Sequence, residues 1–168
     1  MAEPPSRNGQ APRTAVGADA DDRAWMREAL ELARRAESED GEVPVGAVLV
    51  IGGEIVGRGW NRNITLDDPS AHAEIQALRD AGRRLGNYRF PAATLYATLE
   101  PCVMCAGAIV HARLARVVYA AADPKAGAAG SVFDTLLDRR HNHEVDMRGG
   151  VLADEAGELL RRFFRMRR

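Results

Sequence analysis

Two short stretches of this chain hold residues able to do metal or thiol chemistry. Cys102 and Cys105 stand in Pro101-Cys102-Val103-Met104-Cys105, and His72 and Glu74 stand in His72-Ala73-Glu74. Residues at i and i+3 meet on one side of a helix's first turn. A helix amino terminus offers partial positive charge and unpaired N–H groups, both of which favour thiolates. Thiolates are zinc ligands. The chain has 2 cysteines in 168 residues, too few for a disulfide framework. The pair alone admits three readings: zinc ligands, a redox dithiol of the C-x-x-C kind that follows a strand, or two small buried hydrophobes.

His72 and Glu74 add to that pair. Within a helix body, i and i+2 point roughly 200° apart. They can share a site only if it lies off the helix end, and Ser70 as N-cap is expected to put them there. One His and two Cys make three zinc ligands and leave a fourth position for water, the arrangement of catalytic rather than structural zinc. Two thiolates neutralise the ion's double charge, so the bound water is acidified less and a neighbouring base is useful; Glu74 fits that role. A closed structural site completed by His111, His141 or His143 is the alternative, although His141 and His143 lie closer together in sequence than zinc-finger histidines.

The elements that must position these residues follow from patterning. Residues 1–18, with three Pro and two Gly, read as a disordered leader, and residues 19–168 as one domain. From Asp19, Trp25, Ala29, Leu32, Ala33 and Ala36 recur at helical spacing until Gly41. Val43 to Ile51 reads as a strand buried on both faces, Gly52-Gly53 as a hairpin turn, and Glu54 to Asn61 as the returning strand. A helix over about 71–84, a strand at 92–99, a helix at 102–111 and a strand at 115–121 follow. A loop covers 123–130, with a short helix at 131–138, a short strand at 145–151 and a final helix at 153–168. Ala156, Leu159, Leu160 and Phe163 lie on one face of that last helix. Strands alternating with helices imply an α/β fold, a three-layer α/β/α domain whose leading hairpin makes the sheet mixed, with about five strands.

Composition excludes other classes. Hydrophobic residues are 46% and charged residues 28%, which suits a globular domain and not a disordered or fibrous chain. The longest apolar run, Val43 to Gly53, is broken by Pro44 and Gly46 and is too short for a bilayer. The amino terminus has no apolar signal core, so a cytoplasmic location is expected. The net charge of −1 argues against indiscriminate coating of nucleic acid. The last eight residues, RRFFRMRR, nevertheless hold five Arg and two Phe, which suits a local nucleic-acid contact. Lys125 is the single Lys beside 22 Arg, weak support for an ammonium wanted there.

H-x-E followed by P-C-x-x-C resembles the signature of the zinc-dependent nucleobase deaminases. VPVGAVLV, GWNR, DPSAHAEIQALR, NYR, ATLYATLEPCVMCAGAIVHAR, DPKAGAAGS and LLRRFFRMRR resemble, more narrowly, the bacterial tRNA-specific adenosine deaminases, from about Asp22 to Arg168. The long leader and DTLLDRRHNHE, with Arg139, Arg140 and His141, depart from that pattern. The resemblance implies a cytidine deaminase-like fold and one Zn2+ per subunit on His72, Cys102 and Cys105. It implies hydrolytic deamination of adenosine to inosine at the wobble position of a tRNA anticodon, most naturally an arginine tRNA, with Glu74 moving protons. Asn61 would read the adenine edge and Asp123 would touch the ribose. Lys125, Phe164, Arg167 and Arg168 would contact the anticodon stem-loop. The resemblance also implies a homodimer. Phe163 is expected in the core, and Glu100 is expected to be structural.

Overall fold

The structure, a computed structural model, describes the backbone of residues 15–168 and the side chains of residues 19–168. Residues 1–14 of the expected leader lie outside the described residues. Helix α1 spans Ala15–Asp40, so it begins four residues before the expected boundary at Asp19. Strands β1 (Gly46–Ile51) and β2 (Glu54–Trp60) form the hairpin, turning through Gly52 and Gly53 at φ 58° and 80°. Positive φ at both central residues is what a tight hairpin turn requires, and glycine adopts it without strain. Helix α2 (Ala73–Leu85), β3 (Thr94–Leu99), α3 (Val103–His111), β4 (Arg116–Ala121), β5 (Asp146–Arg148) and α4 (Ala153–Arg165) complete the order. The helix expected over 131–138 is only a 3-10 turn at Thr135–Leu137.

The sheet runs β2-β1-β3-β4-β5. β1 is antiparallel to both β2 and β3, and β3, β4 and β5 are mutually parallel. The sheet is mixed and five-stranded, as expected. Successive residues of a strand face opposite sides. Ala47, Leu49, Leu95, Ala97 and Val117 therefore pack with Ala73, Ala77, Ala106 and Ile109 of α2 and α3 on one face. Val48, Val50, Tyr96 and Val118 pack with Met26, Leu30 and Ala156 of α1 and α4 on the other. Three layers result. Phe163 is buried, as expected. Among the described residues no helix is long and apolar enough to cross a membrane.

Direction is what this topology contributes to the site. β2, β3 and β4 all run toward one end of the sheet, and antiparallel β1 starts there. The segments after β2, β3 and β4 and the turn before β1 therefore meet at that end. α1 and α4 are parallel neighbours: Arg34 pairs with Glu155 at 2.6 Å and Glu37 with Arg162 at 2.7 Å. The carboxyl end of α4 is thus carried to the same place.

Candidate metal centre and active site

α2 and α3 begin at that shared end, and their first residues form the site. α2 lies unusually close to β2: a Cβ at Gly59 would overlap the Ala73 carbonyl. Glycine is needed there for close approach, and it brings the start of α2 down onto the strand. The N-cap of α2 is His72, with ψ 155°, and not Ser70. Ser70 instead donates its N–H and O–H to Asp68 Oδ1 at 2.8 and 2.7 Å. Cys102 is likewise the N-cap of α3, with ψ 174°. Neither side chain caps its own helix. Both are left free to turn toward each other, and Cys105 joins them from the first turn of α3.

His72 Nδ1 lies 3.6 Å from Cys102 Sγ and 3.6 Å from Cys105 Sγ. A tetrahedral zinc with ordinary Zn–N and Zn–S bonds would separate its nitrogen and sulfur ligands by about 3.55 Å. The donor atoms therefore stand where zinc ligands stand. No fourth His, Cys, Asp or Glu ligand joins the cluster among the described residues. His141 and His143 bond instead to the carbonyls of Thr135 and Leu114 at 2.7 and 2.6 Å, which argues against the closed site.

Electrostatics suit a cation. A hydrogen bond from Cys105 and the neighbouring His72 pull the Cys102 thiol down to about 3. Cys102 and burial push Cys105 up. The hydrogen bond with Cys102 raises His72 despite partial burial. Two helix amino termini also point their positive ends here, favouring the thiolates. Glu74 is 4% exposed, and burial raises its carboxyl above the usual range. A buried carboxyl beside a metal site can move protons to and from a bound reactant.

The other expected residues fall into two groups. Asn61 leaves the end of β2, and its Oδ1 accepts the Ala73 N–H at 2.9 Å, so it is tied to the helix that carries His72 and Glu74. Its amide N–H2 remains as a donor. Asp123 follows β4; its Oδ1 accepts the Lys125 and Ala126 N–H groups at 2.9 and 3.2 Å. Glu100 is buried and structural, as expected. Its carboxylate accepts the N–H groups of Asp123, Ala129 and Ser131 and the Ser131 hydroxyl, moulding the 123–131 loop against Pro101 and Cys102. Lys125, Phe164 and Arg168 are exposed. Arg167 differs from a free anion contact: it donates to the Gly41 carbonyl at 2.7 Å and stacks 4.1 Å over Phe163. One residue absent from the expected site is Glu42, buried and bonded to Thr65 in the loop between Asn61 and His72. Its signal in the sequence is an acid abutting the apolar run VPVGAVLV.

Residues 19–121 match the family described as "Cytidine and deoxycytidylate deaminase zinc-binding region". The chain is 52% identical over 148 residues to the tRNA-specific adenosine deaminase of Haemophilus influenzae, covering 88% of this chain and 85% of that one. The chain belongs to the tRNA-specific adenosine deaminase family. It is therefore a deaminase, a hydrolase acting on a C–N bond. The Bacillus subtilis enzyme of the same name is 48% identical, covering 86% of the deaminase described here and 89% of its own length. A solved structure from a study of A-to-I editing by tRNA:A34 deaminases at the wobble position of transfer RNA superposes with a TM-score of 0.78. It is 45% identical and covers 82% of this chain and 99% of that one. A guanine deaminase from Nitrosomonas europaea is more distant, with a TM-score of 0.70 and 27% identity over 97% of this chain and 98% of its own.

Proposed function

We propose that this deaminase converts adenosine to inosine at the wobble position of a tRNA anticodon, with an arginine tRNA as its natural substrate. The observation that carries the reading is the His72, Cys102 and Cys105 donor set at 3.6 Å spacing beside a buried Glu74. The names of the relatives at 41–52% identity support the substrate class. His72, Cys102 and Cys105 hold one Zn2+ per subunit; bound there, the ion supplies Lewis-acid activation of a water molecule.

The residues of the chain do the rest. Glu74 accepts a proton from the attacking water and delivers it to the adenine ring nitrogen beside the amine-bearing carbon. It then takes the proton of the hydroxyl added to that carbon and passes it to the departing amine as the C–N bond breaks and the C=O forms, so that adenosine and water become inosine and ammonia. Asn61 presents its amide N–H2 to an acceptor on the purine edge while its oxygen holds Ala73. Asp123 reaches the ribose. The wobble base lies in a single-stranded loop, so turning it into the pocket costs little. Lys125, Phe164 and Arg168 meet the anticodon stem-loop, Phe164 by stacking and the two cations by charge, while Arg167 serves it by holding the tail. The enzyme works as a homodimer in the cytoplasm.

The test is direct. An anticodon stem-loop with a wobble adenosine, incubated with the protein, yields inosine, while free guanine and free adenine are left unchanged. Turnover of the free bases with none of the stem-loop would replace this reading with a nucleobase deaminase.

A further inference from the structure

We propose that the three-residue turn Asp40-Gly41-Glu42 is a positioning device: it moors both the loop that presents Asn61 and His72 and, through Arg167, the carboxyl-terminal tail. Its activity readouts rest on the deamination reading above.

The turn is itself rigid. Gly41 and Glu42 close α1 with N–H bonds to the carbonyls of Glu37 and Ala36 at 3.2 and 2.9 Å. The Gly41 bond, made by a left-handed residue at φ 66°, is a glycine helix stop, and the Glu42 bond encloses it. Each residue of the turn then holds a different segment. Asp40 Oδ2 accepts the Trp60 indole N–H at 2.8 Å and pairs with Arg62 Nε at 3.5 Å. The guanidinium groups of Arg35 and Arg62 both lie over the Trp60 ring, at 4.3 and 5.7 Å. These contacts bracket Asn61 on both sides. Glu42 Oε1 accepts the Thr65 N–H and hydroxyl at 2.8 and 3.1 Å. The Gly41 carbonyl takes Arg167.

Glu42 makes the case for function over packing. It is 2% exposed, and among the described residues no cation pairs with it. A buried carboxylate is costly unless its hydrogen bonds are made. Both of its bonds go to one residue of the loop between Asn61 and His72, where an apolar residue would fill space and leave the loop untied. Arg167 adds the tail. Its guanidinium stacks on Phe163 and donates along its plane to the carbonyl, a geometry that lysine does not reproduce. Asn61 and the tail are therefore referred to the same three residues.

The experiment uses the zinc-loaded full-length protein. Hydrogen exchange at the Thr65 amide is measured without RNA for wild type, Arg167→Lys and Glu42→Gln, and kinetics are measured on the stem-loop. Arg167→Lys acts from the far side of the turn, and the expected result is Thr65 exchange faster by about threefold or more, as local opening becomes easier. Its KM rises while kcat stays near wild type. Glu42→Gln lowers kcat roughly tenfold at full zinc content, below the roughly 100-fold of a 1 Å misplacement. In the double variant the loss of kcat/KM is smaller than the product of the two single losses, as for residues sharing a backbone segment. Thr65→Val, which removes only the hydroxyl donor, repeats the kcat loss more mildly if Glu42→Gln folds poorly. Wild-type Thr65 exchange in Arg167→Lys, with losses that simply multiply, would overturn the proposal and leave two separate tethers. Wild-type KM in Arg167→Lys would make Arg167 a plain charge contact. If wild type deaminates no stem-loop, the functional reading falls, while the exchange data still decide the mooring.

Discussion

Asn61 Oδ1 accepts the backbone N–H of Ala73 at 2.9 Å, joining the end of β2 to the first residue of α2. The oxygen satisfies a helix N–H that has no partner within the helix, and the amide N–H2 is left as a donor. One side chain thus places the helix bearing His72 and Glu74 and presents a donor beside them. Asn61→Ala is expected to lose both functions, destabilising the protein by about 1 kcal/mol as for other lost helix-start caps. Asn61→Asp keeps the acceptor and adds charge favourable to the helix end, so it should melt at or above wild type yet deaminate poorly. Paired thermal melts and stem-loop kinetics check this. Full activity in Asn61→Asp would mean that the amide donor does not read the base.

That same bond marks where sequence reading stops. His72, Glu74, Cys102 and Cys105 were legible because the site sits at two helix starts, where local spacing decides which side chains meet. Ser70 had the chemistry of an N-cap, but Asp68 consumes its N–H and O–H, and Ala73 is satisfied from another strand. A cap supplied 12 residues away leaves no local signal. The helix expected over 131–138 fails for a similar reason: the Ser131 N–H and hydroxyl are taken by Glu100. The three layers and the mixed sheet followed from strands alternating with helices after a leading hairpin, whereas the strand order, set by pairing between distant segments, did not. The moorings of Glu42 and Arg167 are contacts between distant segments; patterning marks Glu42 only as an acid abutting an apolar run and carries no trace of the partner that either residue holds.

The donor set predicts how the metal is lost. Cys102→Ser and Cys105→Ser each replace a thiolate with a poor ligand, and the expected result is little zinc by elemental analysis and a lower melting temperature. The loss of stability follows because the ion would tie the starts of α2 and α3 together. Chelator treatment of wild type should lower the melting temperature in the same direction. Full zinc occupancy in either variant would remove that cysteine from the ligand set.

If Glu74 carries the protons, Glu74→Ala should keep zinc and stem-loop binding while kcat falls at least roughly 100-fold, the low end for a positioned acid–base group. One carboxyl serving several transfers should cost more. Single-turnover kinetics on pre-bound stem-loop isolate the chemical step. A variant retaining a tenth of wild-type turnover would reassign the proton transfers.

Asp22 carries a prediction about pH. It is 1% exposed and accepts bonds from Arg116 at 2.8 and 2.9 Å, from Arg148 at 2.8 Å and from the Tyr96 hydroxyl at 2.9 Å. Burial opposes its ionisation, but the Arg116, Tyr96 and Arg148 bonds outweigh burial and hold the carboxyl below its ordinary 3.8. A carboxyl lowered on folding gives stability that is fully present above its unfolded value and is lost as pH falls through the folded value. Asp22→Asn leaves Arg116 and Arg148 with only their outer partners, Asp146 and Asp19, and should cost about 1–3 kcal/mol at pH 7. The gap to wild type should narrow below about pH 4, where wild type loses the same charge. Urea unfolding across pH 3–7 measures it, and a gap independent of pH would mean that Asp22 contributes only packing.

The tail separates into residues with different tasks. Arg167 is bonded to Gly41 and stacked on Phe163, whereas Arg168 is exposed and Phe164 is 50% exposed, edge-on to Phe163 at 5.3 Å between ring centres. If Arg168 meets a phosphate, Arg168→Ala should flatten the slope of log affinity against log salt by about 0.7, the value for one contact on a single strand. Phe164→Ala should act differently. A stacked base contributes about 1–3 kcal/mol, and stacking releases no counterions, so affinity should fall while the salt slope holds. Both side chains lie outside the buried core, so zinc content and melting temperature should stay near wild type. Binding titrations of the stem-loop at several salt concentrations distinguish the two effects. A Phe164→Ala variant with altered salt slope, or an Arg168→Ala variant with none, would mean that the loop is gripped by a different surface from the end of α4.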